Sequence, residues 1–371
     1  MQTKNHPEIV PTQAFLLRPY QQRAVEWANQ GDGLIIAPAG CGKTVIASSI
    51  IKHYCQWPDW TFGWLAPTRE TCQQAIASLE AMGVDTSRVE VRCPHESVDF
   101  SRKKLIIVDE AKHAPADSWR RIIESCNGLR YGFDATPWSD DSERNEILRK
   151  LFRNTQFEIK REELAGVLAH ATVYMSSATD FLIQRKIDDH IEKLFTERKR
   201  YMRISQPELR AMCAWEAITE IGICGNKRRN AAAIMFANCG GHSPTLVLVP
   251  RVTLGEEYAK AIGDAVLVYS KMAKKARREA MEEFKAGNIK TMIATSLADE
   301  GLDLPNVETL VMVSGGRSAQ KTIQRASRAL RRSPGKDQAF IHDFKDNFHP
   351  LAQAHANKRI KCYKELGCSI P

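Results

Sequence analysis

No C-x-x-C pair occurs among the ten cysteines, which are scattered from Cys41 to Cys368. Neither a zinc knuckle nor a disulfide framework is expected, and a reducing cytoplasm is the simpler setting. No apolar run approaches the ~20 residues of a membrane span. Met1 to Pro11 also lack the apolar core flanked by basic residues that marks an export signal. Low-complexity segments and short repeats are missing too. These absences exclude a secreted disulfide scaffold, a membrane span and a repeat array, and leave a soluble, non-secreted protein as the expectation.

What is present is length and mild positive charge. The 371 residues suffice for two domains of ordinary size, each with its own core. The 53 Lys and Arg against 44 Asp and Glu leave a net charge of +9, compatible with a polyanionic partner and no proof of one.

Short apolar runs alternate with longer amphipathic stretches, the pattern of parallel strands joined by crossover helices. Residues 33–36, 61–65, 104–108 and 129–133 read as strands of a first α/β domain. Residues 245–249, 265–268, 291–294, 309–313 and 339–342 read as strands of a second. Between them, about 181–238, the chain turns charged and helical in period. The boundary is placed at 158, giving domains 1–158 and 159–371.

The segment Ala37-Pro38-Ala39-Gly40-Cys41-Gly42-Lys43-Thr44 follows the first strand. Gly40 and Gly42 let successive backbone N–H groups, with that of Cys41, turn inward around phosphate oxygens, and the helix that follows adds the positive end of its dipole. Lys43 then neutralises the β and γ phosphates of ATP, and the Thr44 hydroxyl takes a place on Mg2+. Ala37 stands where the strict pattern has its first glycine. Asp109 and Glu110 close the apolar run 105–108, at the strand end where a parallel sheet presents residues to its ligand crevice. Asp109 is assigned to the metal, and Glu110 to the proton of the attacking water.

In this order the blocks resemble the superfamily 2 helicases, and in particular the DEAH-like branch that includes type III restriction motor subunits and repair and phage recombination helicases. The resemblance runs from about Leu17 to Asp343. It implies two tandem RecA-like α/β domains and an ATP-hydrolysing motor on nucleic acid, DNA before RNA, bound without regard to sequence. Arg18 and Gln21, in Leu17-Arg18-Pro19-Tyr20-Gln21, resemble the adenine-recognition segment. Thr68 and Arg69, like Arg251 and Thr295 in the second half, match residues that touch the nucleic-acid backbone. Ala135 and Thr136 match the block that couples ATP state to strand grip, and Gly301 and Asp303 match positions against the nucleotide. In Gln324-Arg325-Ala326-Ser327-Arg328-Ala329-Leu330-Arg331, Gln324 corresponds to the residue that orients the hydrolytic water. Arg328 and Arg331, at i and i+3, correspond to arginine fingers.

The chain departs from that pattern at several places. Lys112 occupies the usual His position of the D-E-x-H block, with His113 one place late, and Asp134 replaces the Ser or Thr before Ala135. Lys112 cannot accept a hydrogen bond as an imidazole can, so a Lys112–Asp134 charge pair is expected in its place. Ser327 stands where many relatives carry Gly. The basic stretches 197–200, 227–229 and 271–278 read as solvated helix faces. An RNA helicase and a regulatory protein with an impaired motor are the alternatives. A nuclease is disfavoured, because only about forty residues follow Arg332 and they hold no carboxylate and lysine cluster of nuclease type. Nothing in the sequence sets the oligomeric state, and a monomer is compatible with it.

Overall fold

In the computed structural model the described residues are 16–139, 141–164, 167–177, 181–239, 244–295, 307–316 and 336–371, with Ser318, Thr322, Arg325 and Ala326. They form two compact units; the first extends to Glu163 except for Ala39–Cys41, which group with the second, and the second resumes at Leu164. The changeover thus falls a few residues beyond 158, because the turn Arg161–Leu164 follows the last strand of the first unit.

The first unit is a six-stranded sheet of β1 (Gly33–Ile36), β2 (Phe62–Leu65), β3 (Val89–Arg92), β4 (Leu105–Asp109), β5 (Leu129–Asp134) and β6 (Gln156–Glu158). Its order is β3-β2-β4-β5-β1-β6, and every pairing is parallel. Strands covered by helices on both faces carry continuous apolar runs. Leu105 to Val108 in β4 are accordingly fully buried, with Ile106 and Val108 packing with Leu34, Leu65, Ile123 and Phe152. The register sets the C-terminal ends of β4, β5 and β1 side by side, Asp109 opposite Phe133 and Ile36 opposite Asp134.

The second unit repeats the plan with β7 (His170–Ser176), β8 (Thr245–Leu248), β9 (Ala265–Val268), β10 (Thr291–Ala294), β11 (Thr309–Met312) and β12 (Gln338–Phe344). Its order is β7-β12-β11-β8-β10-β9, again all parallel. The described residues between β7 and β8 are mostly helical and hold no strand, with helices Phe181–Arg198, Gln206–Ala217 and Lys227–Cys239 and a π-helical stretch Ile218–Cys224. Ile187, Leu209, Cys213 and Ile223 pack it onto the sheet through Val247 and Val311.

One reading from sequence is overturned here. Arg229 is no solvated basic residue: it is 1 % exposed, and its guanidinium donates to Asp346 at 2.8 Å and to the Val313 carbonyl at 2.9 Å, over the Phe344 ring. Asp346 also accepts from Arg359 at 3.3 Å; Arg359 pairs with Asp343 at 2.8 Å and donates to the Gly316 carbonyl at 3.0 Å. The Tyr363 hydroxyl donates to Asp343 at 2.8 Å. A buried ion network of this kind is costly to break from one side, because the remaining charge is left without compensation. Arg229→Ala is therefore expected to destabilise the second unit by about 3–5 kcal/mol, read as a shift of its urea unfolding midpoint; Arg228→Ala, on the exposed face of the same helix, should move it by less than about 0.5 kcal/mol.

Candidate active site

The phosphate loop leaves β1 at Ala37, whose N–H donates to the Asp134 carbonyl at 2.8 Å and so continues the sheet for one residue. Ala37 is not among the positive-φ residues, which explains why alanine serves where the strict pattern has glycine. Gly40 (φ 85°) and Gly42 (φ 84°) do occupy the left-handed region and need glycine. A Cβ on Gly42 would also stand 2.6 Å from the Gln21 amide nitrogen, so Gln21 lies directly against the loop. Gln21 accepts from the Arg18 N–H at 3.0 Å in a capping box at the start of helix Pro19–Ala28. The next helix, Lys43–Tyr54, begins at Lys43, whose ammonium folds back to the Ala37 carbonyl at 3.3 Å. Thr44 lies in its first turn and Cys41 is buried.

Asp109 ends β4. Burial first and the Glu110 charge second push its carboxyl up to about 6, against the pull of the Lys43 ammonium. Glu110 sits in the left-handed region (φ 53°, ψ 55°), a sparsely populated conformation for a residue with a Cβ. This backbone aims its side chain back into the site, where it contacts the Lys112 ammonium. Burial raises the Glu110 carboxyl, but Lys112 and then Lys43 outweigh it, and the net shift is downward.

The expected Lys112–Asp134 side-chain pair does not form, since the Lys112 ammonium is taken by Glu110. Asp134, 1 % exposed at the end of β5, instead accepts the backbone N–H of Lys112 at 2.9 Å and that of Thr136 at 2.8 Å. Asp134 thereby holds the acidic turn and the Ala135-Thr136 block, while its own carbonyl holds the phosphate loop. Burial, then Glu110, raises its carboxyl. His113 does not take over from the missing imidazole: its ring lies 5.5 Å from that of Trp119, and burial followed by Lys112 keeps it below its ordinary value.

The other assigned residues also stand at C-terminal strand ends. Thr68 caps helix Arg69–Ala81 after β2 by accepting the Thr71 N–H at 3.2 Å, and Arg69 is exposed, 3.7 Å from Glu96. In the second unit Arg251 is exposed after β8, and half-buried Thr295 follows β10, the neighbouring strand. Gly301, Asp303, Gln324, Arg328 and Arg331 lie outside the described residues. Asp134 as the tie between three blocks was the residue sequence reading missed, although its departure from the Ser or Thr pattern marked the position.

This geometry is that of a nucleotide-phosphate site at the switch edge of a parallel sheet, in a protein of two RecA-like units. A family model described as "AAA domain" matches residues 16–130, and one described as "Helicase conserved C-terminal domain" matches 226–333. Both family descriptions imply ATP use. The solved Pyrococcus furiosus Hef helicase domain superposes with a TM-score of 0.53 over 89% of this chain and 96% of that one, at 15% identity, which speaks for the fold. "Putative helicase 22" of Sulfolobus islandicus filamentous virus is 26% identical, covering 89% of this chain and 64% of its own length. "Putative DNA 3'-5' helicase Rad25" of Haloarcula marismortui is 26% identical over 85% of this chain and 50% of its own, and "ATP-dependent RNA helicase DDX47" of Drosophila melanogaster 22% over 93% and 67%. The chain thus spans about half to two thirds of the length of these curated relatives. In its sequence blocks, its fold and these matches the chain is similar to superfamily 2 helicases.

Asp134→Ala is expected to destabilise the first unit by about 2–4 kcal/mol, because two buried N–H donors lose their acceptor. Asp134→Asn, which keeps one carbonyl oxygen, should cost less; chemical denaturation of the two variants gives the comparison.

Proposed function

We propose that this chain is an ATP-driven helicase or translocase on nucleic acid, DNA in the first instance, of the DEAH-like, type III restriction motor type. The observation that carries the reading is the convergence on Asp134: its carbonyl and carboxylate hold the phosphate loop, the Asp109-Glu110 turn and the Ala135-Thr136 block together. A divalent ion fits the donor set, since Asp109 and Thr44 offer hard oxygens and the Asp109 carboxyl is held up to about 6 by burial first and by the Glu110 charge second, both of which a bound cation would offset. When bound, Mg2+ supplies neutralisation of phosphate charge. Lys43 is assigned to the β and γ phosphates, Gln21 to the adenine, and Glu110 to the proton of the attacking water. Lys112, in contact with Glu110, holds that carboxylate in its ionised, accepting form. The first domain, to 158, carries the nucleotide; the second, 159–371, supplies Gln324, Arg328 and Arg331 to the reaction, with Gly301 and Asp303 against the nucleotide. Thr68, Arg69, Arg251 and Thr295 hold the strand backbone, so affinity is independent of sequence and falls with salt. Among the described residues no helix is long and apolar enough to cross a membrane.

Two further readings have specific support. RNA as the polymer is favoured by the relative named an RNA helicase. A motor that binds without turning over is favoured by the departures from the family pattern at Lys112 and Asp134. ATP hydrolysis with Mg2+, measured without polymer and with single-stranded DNA, branched DNA and single-stranded RNA, separates all three. DNA stimulation that falls about a hundredfold or more in Lys43→Ala is expected; RNA-only stimulation selects the second reading, and no turnover above Lys43→Ala selects the third.

Asp109 gives a pH signature. Its carboxylate, the form that takes a cation, predominates above about 6. The Mg2+-dependent gain in affinity for a fluorescent ATP analogue should therefore fade as pH falls through about 6, and an affinity gain that stays flat to pH 5 would count against Asp109 as ligand. The sign for stability is opposite. A raised carboxyl favours the folded chain below its ordinary value of 3.8, and that contribution is lost as pH rises through about 6.

A further inference from the structure

A cavity of about 990 Å3 in the second unit opens where the helical segment meets the ends of β8 and β11, within the size range of ligand clefts. Its apolar wall is Trp215, with Met212 and Leu351 beside it. The indole is fixed in place. Its ring lies 4.9 Å from that of His355 at 51°, and its far edge rests on Gly315, where a Cβ would stand 3.6 Å away. Gly315 (φ 57°) and Gly316 (φ 104°) are in the left-handed region that favours glycine. Behind them, Arg229 and Arg359 pin the Val313 and Gly316 carbonyls, so the floor of the cavity is rigid. The π-helical stretch Ile218–Cys224 begins a few residues past Trp215, and the Thr219 hydroxyl donates to the Trp215 carbonyl at 2.8 Å. Such π stretches recur at functional sites.

The lining carries Arg251 and Arg325 against Glu208 and Glu216, and Glu216 is already neutralised by Arg198, which leaves a positive balance. Glu216 is engaged by both arms of Arg198 at 2.7 Å, and Glu208 closes the capping box on Ser205 at 2.7 Å. Arg251 remains exposed, with no hydrogen bond to its guanidinium among the described residues. A fixed aromatic face, an aliphatic flank and an exposed guanidinium together suit a planar base joined to a phosphate.

We propose that this cavity is a base-stacking subsite for one nucleotide of single-stranded DNA, the base lying against the Trp215 indole and its phosphate against Arg251. The inference rests on the nucleic-acid reading above and adds to backbone contacts a contact with the base itself. It gives the helical segment 181–238 a role that the motor blocks do not.

The test compares a dye-labelled oligothymidylate with an oligonucleotide of equal length built from abasic units, by fluorescence anisotropy at fixed salt. Trp215→Ala should bind oligothymidylate roughly tenfold more weakly and leave abasic binding unchanged, and Trp215→Phe should keep most of the affinity. Met212→Glu, at a position 46 % exposed where the fold tolerates a charge, should weaken binding of both oligonucleotides by repelling phosphate. Circular dichroism melting checks that each variant is folded. Wild-type affinity for oligothymidylate in both Trp215→Ala and Met212→Glu overturns the proposal and leaves the cavity to a peptide or another occupant. An equal loss on both oligonucleotides in Trp215→Ala overturns base stacking in favour of a packing role. A wild-type chain that binds neither oligonucleotide defeats the nucleic-acid reading itself.

Discussion

The carboxylate and carbonyl of Asp134 are the constraint from which the first unit's chemistry follows. Three peptide groups from three separate loops converge on this one residue at the centre of a parallel sheet. Backbone donors cannot be lost by a change of side chain, so the arrangement fixes where the loops lie whatever residues they present. The arrangement also explains Lys112. With the backbone of Lys112 already bound by Asp134, its ammonium is left to reach Glu110, and the left-handed turn at Glu110 brings the carboxylate within reach. The Asp109-Glu110 turn and the Ala135-Thr136 block are then tied together through main-chain bonds, without an imidazole.

The buried charges of the second unit do the corresponding work on a larger scale. Arg229 and Arg359 come from helices on either side of β12 in sequence, yet both hold carbonyls of the stretch 313–316. A loop that carries two glycines in the left-handed region would otherwise have several shapes open to it. Two fixed guanidinium groups select one.

The central strands were legible in the sequence because their burial on both faces writes continuous apolar runs: β1, β4, β5, β8, β10 and β11 all announce themselves. The three strands that went unread, β3, β6 and β7, share one property, which is that each lies at the edge of its sheet. Val89-Glu90-Val91-Arg92 and Gln156-Phe157-Glu158 alternate or are largely exposed and leave no apolar run to find, whereas β9, also at an edge, keeps the run Ala265-Val266-Leu267-Val268 and was read. The phosphate loop was legible because glycine at Gly40 and Gly42 is required by backbone angle. The Lys112 partner was not, because charge complementarity in a sequence says nothing about which of two nearby carboxylates, Glu110 or Asp134, the backbone has already occupied. Arg229 was misread for a related reason: beside Lys227 and Arg228 it looks like a third surface charge, and its partner Asp346 lies far away in the chain.

The exposure of Arg69 and Arg251 contrasts with the near-complete burial of Arg229 and Arg359. Mobile ions screen the first pair within a Debye length of about 8 Å at physiological ionic strength and scarcely reach the second. The molecule therefore divides its arginines into a set that answers to the ionic composition of its surroundings and a set that is indifferent to it. A rise in salt weakens any pairing the exposed set makes and leaves the buried network intact.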